Sequence, residues 1–515
     1  MKKTILILIV FFLQLNAQDG RSVKGSVGAV TIDGKIWNQI ALRPVIPVGK
    51  FGVALDLIIY MDDQGNIRKD EWDFSNPEAG FNTLVDKIYY IRYGHPSDPL
   101  YARLGALDNV TLGYGILLSG YANTMEYPQE KKVGLDLRIR RSRLAVQGMT
   151  SDINELGGLV GVRFESPLLF GIPMGIALVA DRNQYLGLKD QDNDGYPDWV
   201  DDFPDNKRLY RDTDGDGLSD FDPAELDIDG DGITDTLDSR IPGWTMDPFV
   251  LDTDIFKKSD PINVNRQSNA VAAIALDAGL PVFDDKHFSL RIYVQAAQLI
   301  GTTIDPATGN DQALGLGLVP LGLWAKFGPA RLNLEYRTTP TGRFEFGYWN
   351  RAYDLERAIF VQTSAGSAQI QTKEAGLGIY GNSSGVYSRL QVNVGPLFKV
   401  TAQYQTLSGE VWNVAQGDFE KTQYQNFFAE AGLLKSISKL KYATLFLQQR
   451  NVPNIFQYEP NESTLQGYKI GLEMGGGVIL NYVYRKTFRD LNGDGDVRDR
   501  DETINTTSIE TSFAF

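Results

Sequence analysis

The chain has 515 residues, a formal net charge of −15, no Cys and two His, His95 and His287. Without Cys there is no disulfide framework, no thiolate metal site and no lipid-anchored Cys. A composition of 52 Gly, 24 Tyr and 26 Phe suits many strands joined by tight turns better than a helical protein.

Residues 1–17 form a signal peptide in pattern. Lys2 and Lys3 are the charged start, Ile5 to Leu13 the apolar core, and Ala17 the small residue before the expected cut. That core is too short to span a bilayer, and no later run reaches the ~18 apolar residues of a membrane helix. An exported chain is expected.

After it, period-two alternation dominates. Residues 36–45 and 50–60 read as strands, then 84–93 and 98–106 after a polar stretch. From Val133 the pattern is clean: Leu135, Leu137 and Ile139 alternate with Asp136, Arg138 and Arg140. Strands follow near 142–150, 155–166 and 172–184, where an acidic insert at 186–264 interrupts. It divides a first barrel part, 18–185, from a second, 265–515.

In the second part, Leu290, Ile292 and Val294 alternate with Arg291, Tyr293 and Gln295. Leu332, Leu334 and Tyr336 alternate with Arg331, Asn333, Glu335 and Arg337. Leu390 and Val392 alternate with Arg389 and Gln391, and Val400 and Ala402 with Lys399 and Thr401. Alternation means one apolar and one polar face. A soluble sandwich satisfies that, and so does a transmembrane barrel with lipid outside and an aqueous lumen.

The barrel is favoured by segments near the ~9–11 residues that cross a bilayer at a tilt. Short turns (Lys326–Pro329, Gly395–Pro396, Gly475–Gly477) also alternate with long loops (300–312, 408–420, 450–463). The last strand, with Ile509, Phe513 and Phe515 on one face, resembles the assembly signal of bacterial outer-membrane β-barrels. The expected fold is all-β: a large antiparallel transmembrane β-barrel of about 18–22 strands, porin-like, carrying an inserted calcium-binding loop domain. Residues 341–383 are read either as one long loop or as a further strand pair.

Between Asp190 and Asp254 stand 21 acidic and 4 basic residues, a net of −17, so the rest of the chain sums to +2. Three times the stretch places Asp at positions 1, 3, 5 and 9 and Gly at 6. The copies are Asp190, Asp192, Asp194, Asp198; Asp212, Asp214, Asp216, Asp220; and Asp227, Asp229, Asp231, Asp235. Calcium takes about 6–8 oxygens, and alternate Asp before a Gly-permitted turn supply several from one loop. Position 12 offers Asp201 and Asp238 in the first and third copies. The second has Pro223 there and needs Asp222, Glu225 or water. A disordered acidic linker would not repeat Gly at the same step.

The unit resembles thrombospondin type 3 repeats over about 190–240. That resemblance implies loops wrapped on calcium with little hydrophobic core, in adhesive matrix proteins and bacterial surface proteins alike. A fourth candidate loop carries Asp490, Asn492, Asp494, Gly495 and Asp501. If the last strand ends in the periplasm, counting strands backward puts this loop and the insert outside the cell.

No nucleophile motif surrounds either His, and neither a phosphate-cradling loop nor a basic nucleic-acid patch is present. An enzyme is not expected. If the polar face lines a lumen, Arg138, Arg140, Arg331, Arg337, Arg389, Lys399 and Arg485 outnumber Asp136 and Glu335, which favours anionic solutes. The sequence therefore predicts an outer-membrane channel or transport barrel, contacting membrane lipid and small solutes, with calcium-stabilised extracellular loops. The alternative is a surface adhesion or envelope scaffold that binds a protein partner while the barrel anchors it.

Overall fold

The computed structural model describes residues 22–514 except 33–34, 69–71, 73, 126–130, 156–157, 170, 236–254, 363–367, 415, 462, 476–477, 489–495 and 500–501. The signal segment, Asp238, Phe515 and the fourth loop's Asp490, Asn492, Asp494 and Asp501 lie outside the described residues.

One sheet gathers 21 strand segments, each antiparallel to its neighbours. Two of them, Phe51–Leu55 and Leu57–Met61, are halves of one strand interrupted at Asp56, which leaves twenty. The first strand, Ser22–Ile32, pairs with the last, Thr503–Ala514, from Lys24↔Ala514 to Val30↔Ser508. The pairings thus return to their start in the order of an antiparallel β-barrel, with only the segment Leu57–Met61 paired on one side among the described strands.

Alternation decides which side chain meets which medium. In Val271–Asp284, Val271, Ala273, Ala275 and Asp277 are buried inward, while Leu276 is 56 % exposed on the outside. Ile176 and Leu178 point out where Ala177, Val179 and Asp181 are buried. Exposed Leu, Ile, Val and Phe recur on the outer face around the ring, which in water would be a large unpartnered apolar surface.

The two ends differ. One has short turns, at 49–50, 142–143, 285–287, 328–329 and 395–397; the other carries 62–87, 106–133, 182–270, 301–315 and 340–379. The insert and the loop 489–502 leave from this same long-loop end.

Several expectations need correction. The strand read from residue 84 begins at Ile88, because Pro77–Asp86 is a helix. Asn76 caps it, its Oδ1 accepting the Ala79 N–H at 2.9 Å, with Pro77 in the first helical position. Residues 408–420 are not a long loop. Phe398–Asn413 and Asp418–Leu433 stay paired to Asn413↔Asp418, aided by Trp412 on Phe419 at 5.3 Å. Residues 341–383 add no barrel strand pair: the loop forms its own hairpin, Ala358–Gln362 with Ala368–Thr372, in a separate sheet.

Among the described residues the barrel wall has one seam. Leu57–Met61 pairs with Lys35–Val48 on one side only. Its other edge is covered by the loop 62–87: the Trp72 indole N–H donates to the Ile58 carbonyl at 2.8 Å and the Arg68 N–H to that of Tyr60 at 3.0 Å.

Candidate functional site

The three acidic loops share one geometry. Each Gly at position 6 has positive φ (98°, 95° and 87° at Gly195, Gly217 and Gly232), a conformation that costs Gly least. Its N–H donates back to the position-1 carboxylate, on Asp190, Asp212 and Asp227, at 2.8–2.9 Å. Position 5 accepts the N–H of position 7, so Asp194, Asp216 and Asp231 bind Tyr196, Leu218 and Ile233 at 2.7–2.8 Å.

The loop is therefore wound by its own carboxylates, and the spare oxygens converge. One carboxylate oxygen each from Asp190, Asp192 and Asp194 lies within 4.8 Å of the others, and the same holds for Asp212, Asp214, Asp216 and for Asp227, Asp229, Asp231. Oδ2 of Asp192, Oδ2 of Asp201 and Oδ1 of Asp227 are buried without a hydrogen-bond partner. Asp201 is 6 % exposed. Burial, and then the charges of Asp194, Asp192 and Asp190, push its carboxyl up to about 6. Buried anionic oxygens without donors are costly, and these residues fit a hard divalent cation.

Position 9 does other work. Asp198, Asp220 and Asp235 accept the N–H of position 2, on Gln191, Thr213 and Ile228. Asp198 also pairs with Lys189 and Asp220 with Arg211, both at 2.9 Å. The structure gathers positions 1, 3 and 5, sets the buried Asp201 near enough to feel the charges of the first set, and uses position 9 as a brace. In the second copy, Asp222 caps a turn at Ala224 N–H and Glu225 accepts the Asp227 N–H.

The insert is docked, not dangling. Leu188 and Val264 at its base are buried with Ala358 and Phe360 of the 358–372 hairpin, and the Trp199 ring stacks on Phe360 at 6.0 Å.

That hairpin belongs to a loop which, with 106–133, fills much of the barrel interior. Leu107, Leu117, Leu118, Tyr121, Tyr348, Trp349 and Tyr353 are almost wholly buried, packed on inward residues such as Val179, Val271 and Val319. The two loops are joined by backbone: Gly347 N–H to Ile116 O at 2.8 Å, Trp349 N–H to Leu117 O and Ser119 N–H to Trp349 O at 3.1 Å.

Buried ion pairs fix this constriction to the wall. Arg357, 0 % exposed, donates to Asp181 at 2.6 and 2.9 Å and to Glu155 at 3.1 Å. Lys132 pairs with Asp354 at 3.2 Å. Lys373 pairs with Glu356 at 2.5 Å and Arg450 with Glu356 at 3.3 Å, while Arg450 also bonds Glu345. Burial works to raise the Glu356 carboxyl, but Lys373 and Arg450 outweigh it and hold it at about 2.

Between the constriction and the opposite wall run two adjoining cavities. One, of about 310 Å³, is lined by Arg389, Lys399 and Gln403, by Arg351 paired with Glu430 at 3.5 Å, and by Asp108, which pairs with Arg103 at 2.9 Å. The second, of about 510 Å³, is lined by Tyr114, Arg291, Trp324, Arg331, Asn333 and Arg389. Asn109 and Arg389 border both.

The inward cations expected from sequence divide into two sets. Arg138 is neutralised by Asp136 at 2.8 Å and Arg337 by Glu335 at 2.6 Å. Arg140 donates to the Pro96 carbonyl at 2.6 Å and Arg485 to that of Met125. Arg331, Arg389 and Lys399, joined by Arg291, line the cavities and make no ion pair among the described residues.

No family model matches this chain, and no curated protein does. Solved structures to which this chain is similar include three from Pseudomonas aeruginosa. OccK5 (OpdH) is 7 % identical over 96 % of this chain and 97 % of its own, with a TM-score of 0.35. OccD3 (OpdP) is 8 % identical over 97 % and 92 %, with a TM-score of 0.33. The outer membrane protein opdK is 8 % identical over 96 % and 98 %, also with 0.33. At such values the fold rests on the chain's own pairings.

Sequence reasoning missed the constriction. Residues 107–125 mix apolar residues with Gly at no fixed period, and Arg357, Asp181 and Arg450 are isolated charges in sequence. Only the length of 106–133 between two short strands pointed to it.

Proposed function

We propose that this protein is an outer-membrane channel for small anionic solutes, with extracellular rim loops held by calcium. The observation that carries the reading is the cationic track of Arg291, Arg331, Arg389 and Lys399 along two joined cavities, with no carboxylate partner among the described residues. The apolar outer face suits lipid, and the ring of pairings satisfies the wall's backbone groups without water. In a narrow low-dielectric passage, unpaired cations attract counter-ions and repel cations. Small polar neighbours such as Asn333, Gln391 and Gln403 would replace part of a solute's hydration shell.

Calcium would be held by Asp190, Asp192, Asp194 and Asp201 in the first loop, by Asp212, Asp214 and Asp216 in the second, and by Asp227, Asp229 and Asp231 in the third. Its contribution is to neutralise carboxylates that otherwise repel one another.

Reversal potentials in planar bilayers under a salt gradient test the channel. Anion preference is expected, and Arg331→Glu with Arg389→Glu should move it toward cations. Cation preference in the unaltered protein would sink the reading. Absence of any conductance would favour the envelope-scaffold alternative.

A further inference from the structure

The first acidic loop differs from the other two in what it touches. Trp199 lies between its brace Asp198 and its fourth carboxylate Asp201, and its ring stacks on Phe360, interplanar angle 15°. The loop's Gly195 carbonyl accepts the Val264 N–H at 2.8 Å, and Val264 is buried with Phe360 and Ala358. A Cβ on Gly195 would lie 2.3 Å from Asn265 Nδ2, so the loop is seated closely on this base.

Phe360 stands three residues after Arg357, the guanidinium that fixes the constriction to Asp181 and Glu155. A second tie runs from Tyr348, whose hydroxyl donates to Gln184 Oε1 at 3.0 Å at the foot of the insert. The second and third loops make no such stacking contact among the described residues.

We propose that a calcium ion in the first loop holds the constriction in its described position, so that external calcium regulates passage through the lumen. The proposal rests on both the channel and the calcium readings above. Without the ion, Asp190, Asp192, Asp194 and the buried Asp201 repel one another, and the loop loses the shape that presents Trp199 to Phe360. With the ion, the loop, the 358–372 hairpin and Arg357 form one packed chain of contacts. A cation that favours the docked arrangement must in turn be bound more tightly by it, since coupling is reciprocal.

The test uses the full chain reconstituted in bilayers and in detergent, with calcium chloride or EDTA on the insert side. Chelation is expected to change the single-channel conductance and to expose residues 344–374 to protease. Trp199→Ala removes a residue 44 % exposed and outside the barrel strands, so the barrel is expected to stay folded. It should weaken the tightest calcium step by about fivefold or more and leave conductance unresponsive to calcium.

Calorimetry showing the loops filled while conductance and protection of 344–374 ignore calcium would overturn the coupling alone. So would a Trp199→Ala channel that responds as the parent does. No calorimetric binding at all overturns the proposal together with the calcium reading. If the channel reading fails and no current flows, protease protection decides: calcium-dependent protection of 344–374 supports the coupling, and unchanged protection overturns it.

Discussion

The loop 340–379 and the insert 182–270 leave the same end of the barrel, yet their charges are managed in opposite ways. The inner loop brings its own counter-ions: Arg357 meets Asp181 and Glu155, Lys373 meets Glu356, and Arg450 reaches in from the wall. The insert gathers carboxylates around a shared point and leaves oxygens of Asp192, Asp201 and Asp227 without donors. One segment neutralises its own charges, whereas the other leaves its carboxylates uncompensated among the described residues. Internal pairs hold the fold of the inner loop, while carboxylates left without counter-ions make the insert the part that a cation in the medium would affect.

Calcium removal should break the comparison most visibly. EDTA is expected to make residues 190–235 protease-sensitive while the β-sheet circular dichroism of the barrel stays unchanged. Equal resistance with and without calcium would show that the insert is ordered by its hydrogen bonds alone.

A smaller effect is expected from the other side. Arg357→Leu leaves the Asp181 and Glu155 carboxylates buried without their partner, a loss of about 3–5 kcal/mol. Thermal unfolding in detergent should register it in calcium and in EDTA alike in sign, and more strongly in calcium, where the first loop, the hairpin and Arg357 form one set of contacts. A loss of the same size in both media would mean that the two regions are more separate than their contacts suggest.

The smallest effect concerns the border between them. Glu374 is buried near Asn269 and Gln184 at the foot of the insert. Burial pushes its carboxyl from 4.5 up to about 7, against hydrogen bonds from those amides that lower it. A raised carboxyl pKa favours the protonated folded form. That contribution is complete below the unfolded value and is lost as pH rises through about 7. Amide exchange around 372–378 should therefore quicken between pH 6 and 8 more than chemistry alone requires, and Glu374→Gln should flatten the trend. An unchanged profile in that variant would assign the pH response to another group.

Much of the barrel was legible because lipid and lumen impose opposite polarity on successive residues. Leu332, Leu334 and Tyr336 against Arg331, Asn333 and Glu335 show this on one strand. Val271–Asp284 was hidden by the same rule. Its inward positions are Val271, Ala273 and Ala275, which pack on the constriction instead of water, so both faces read as apolar. The acidic loops were legible because a turn wound by carboxylates at fixed positions leaves a fixed spacing. The brace role of position 9 was not, since an Asp that bonds a backbone N–H looks the same in sequence as one that binds an ion. Nor were the anchors of the constriction: Asp181 and Arg357 stand 176 residues apart and meet only once the ring has closed.

The seam beside Leu57–Met61 bears on how the ring is assembled. A barrel wall normally seals itself by register, each strand dictating the position of the next. Here one stretch is closed by an indole N–H and a backbone amide from a loop, so its closure does not depend on strand-to-strand pairing. The neighbouring Ile88–Tyr93 takes its register from Phe51–Leu55 and not from the loop that covers Leu57–Met61. The wall thus tolerates a joint that is finished last, like the final stone of an arch laid after the span already stands.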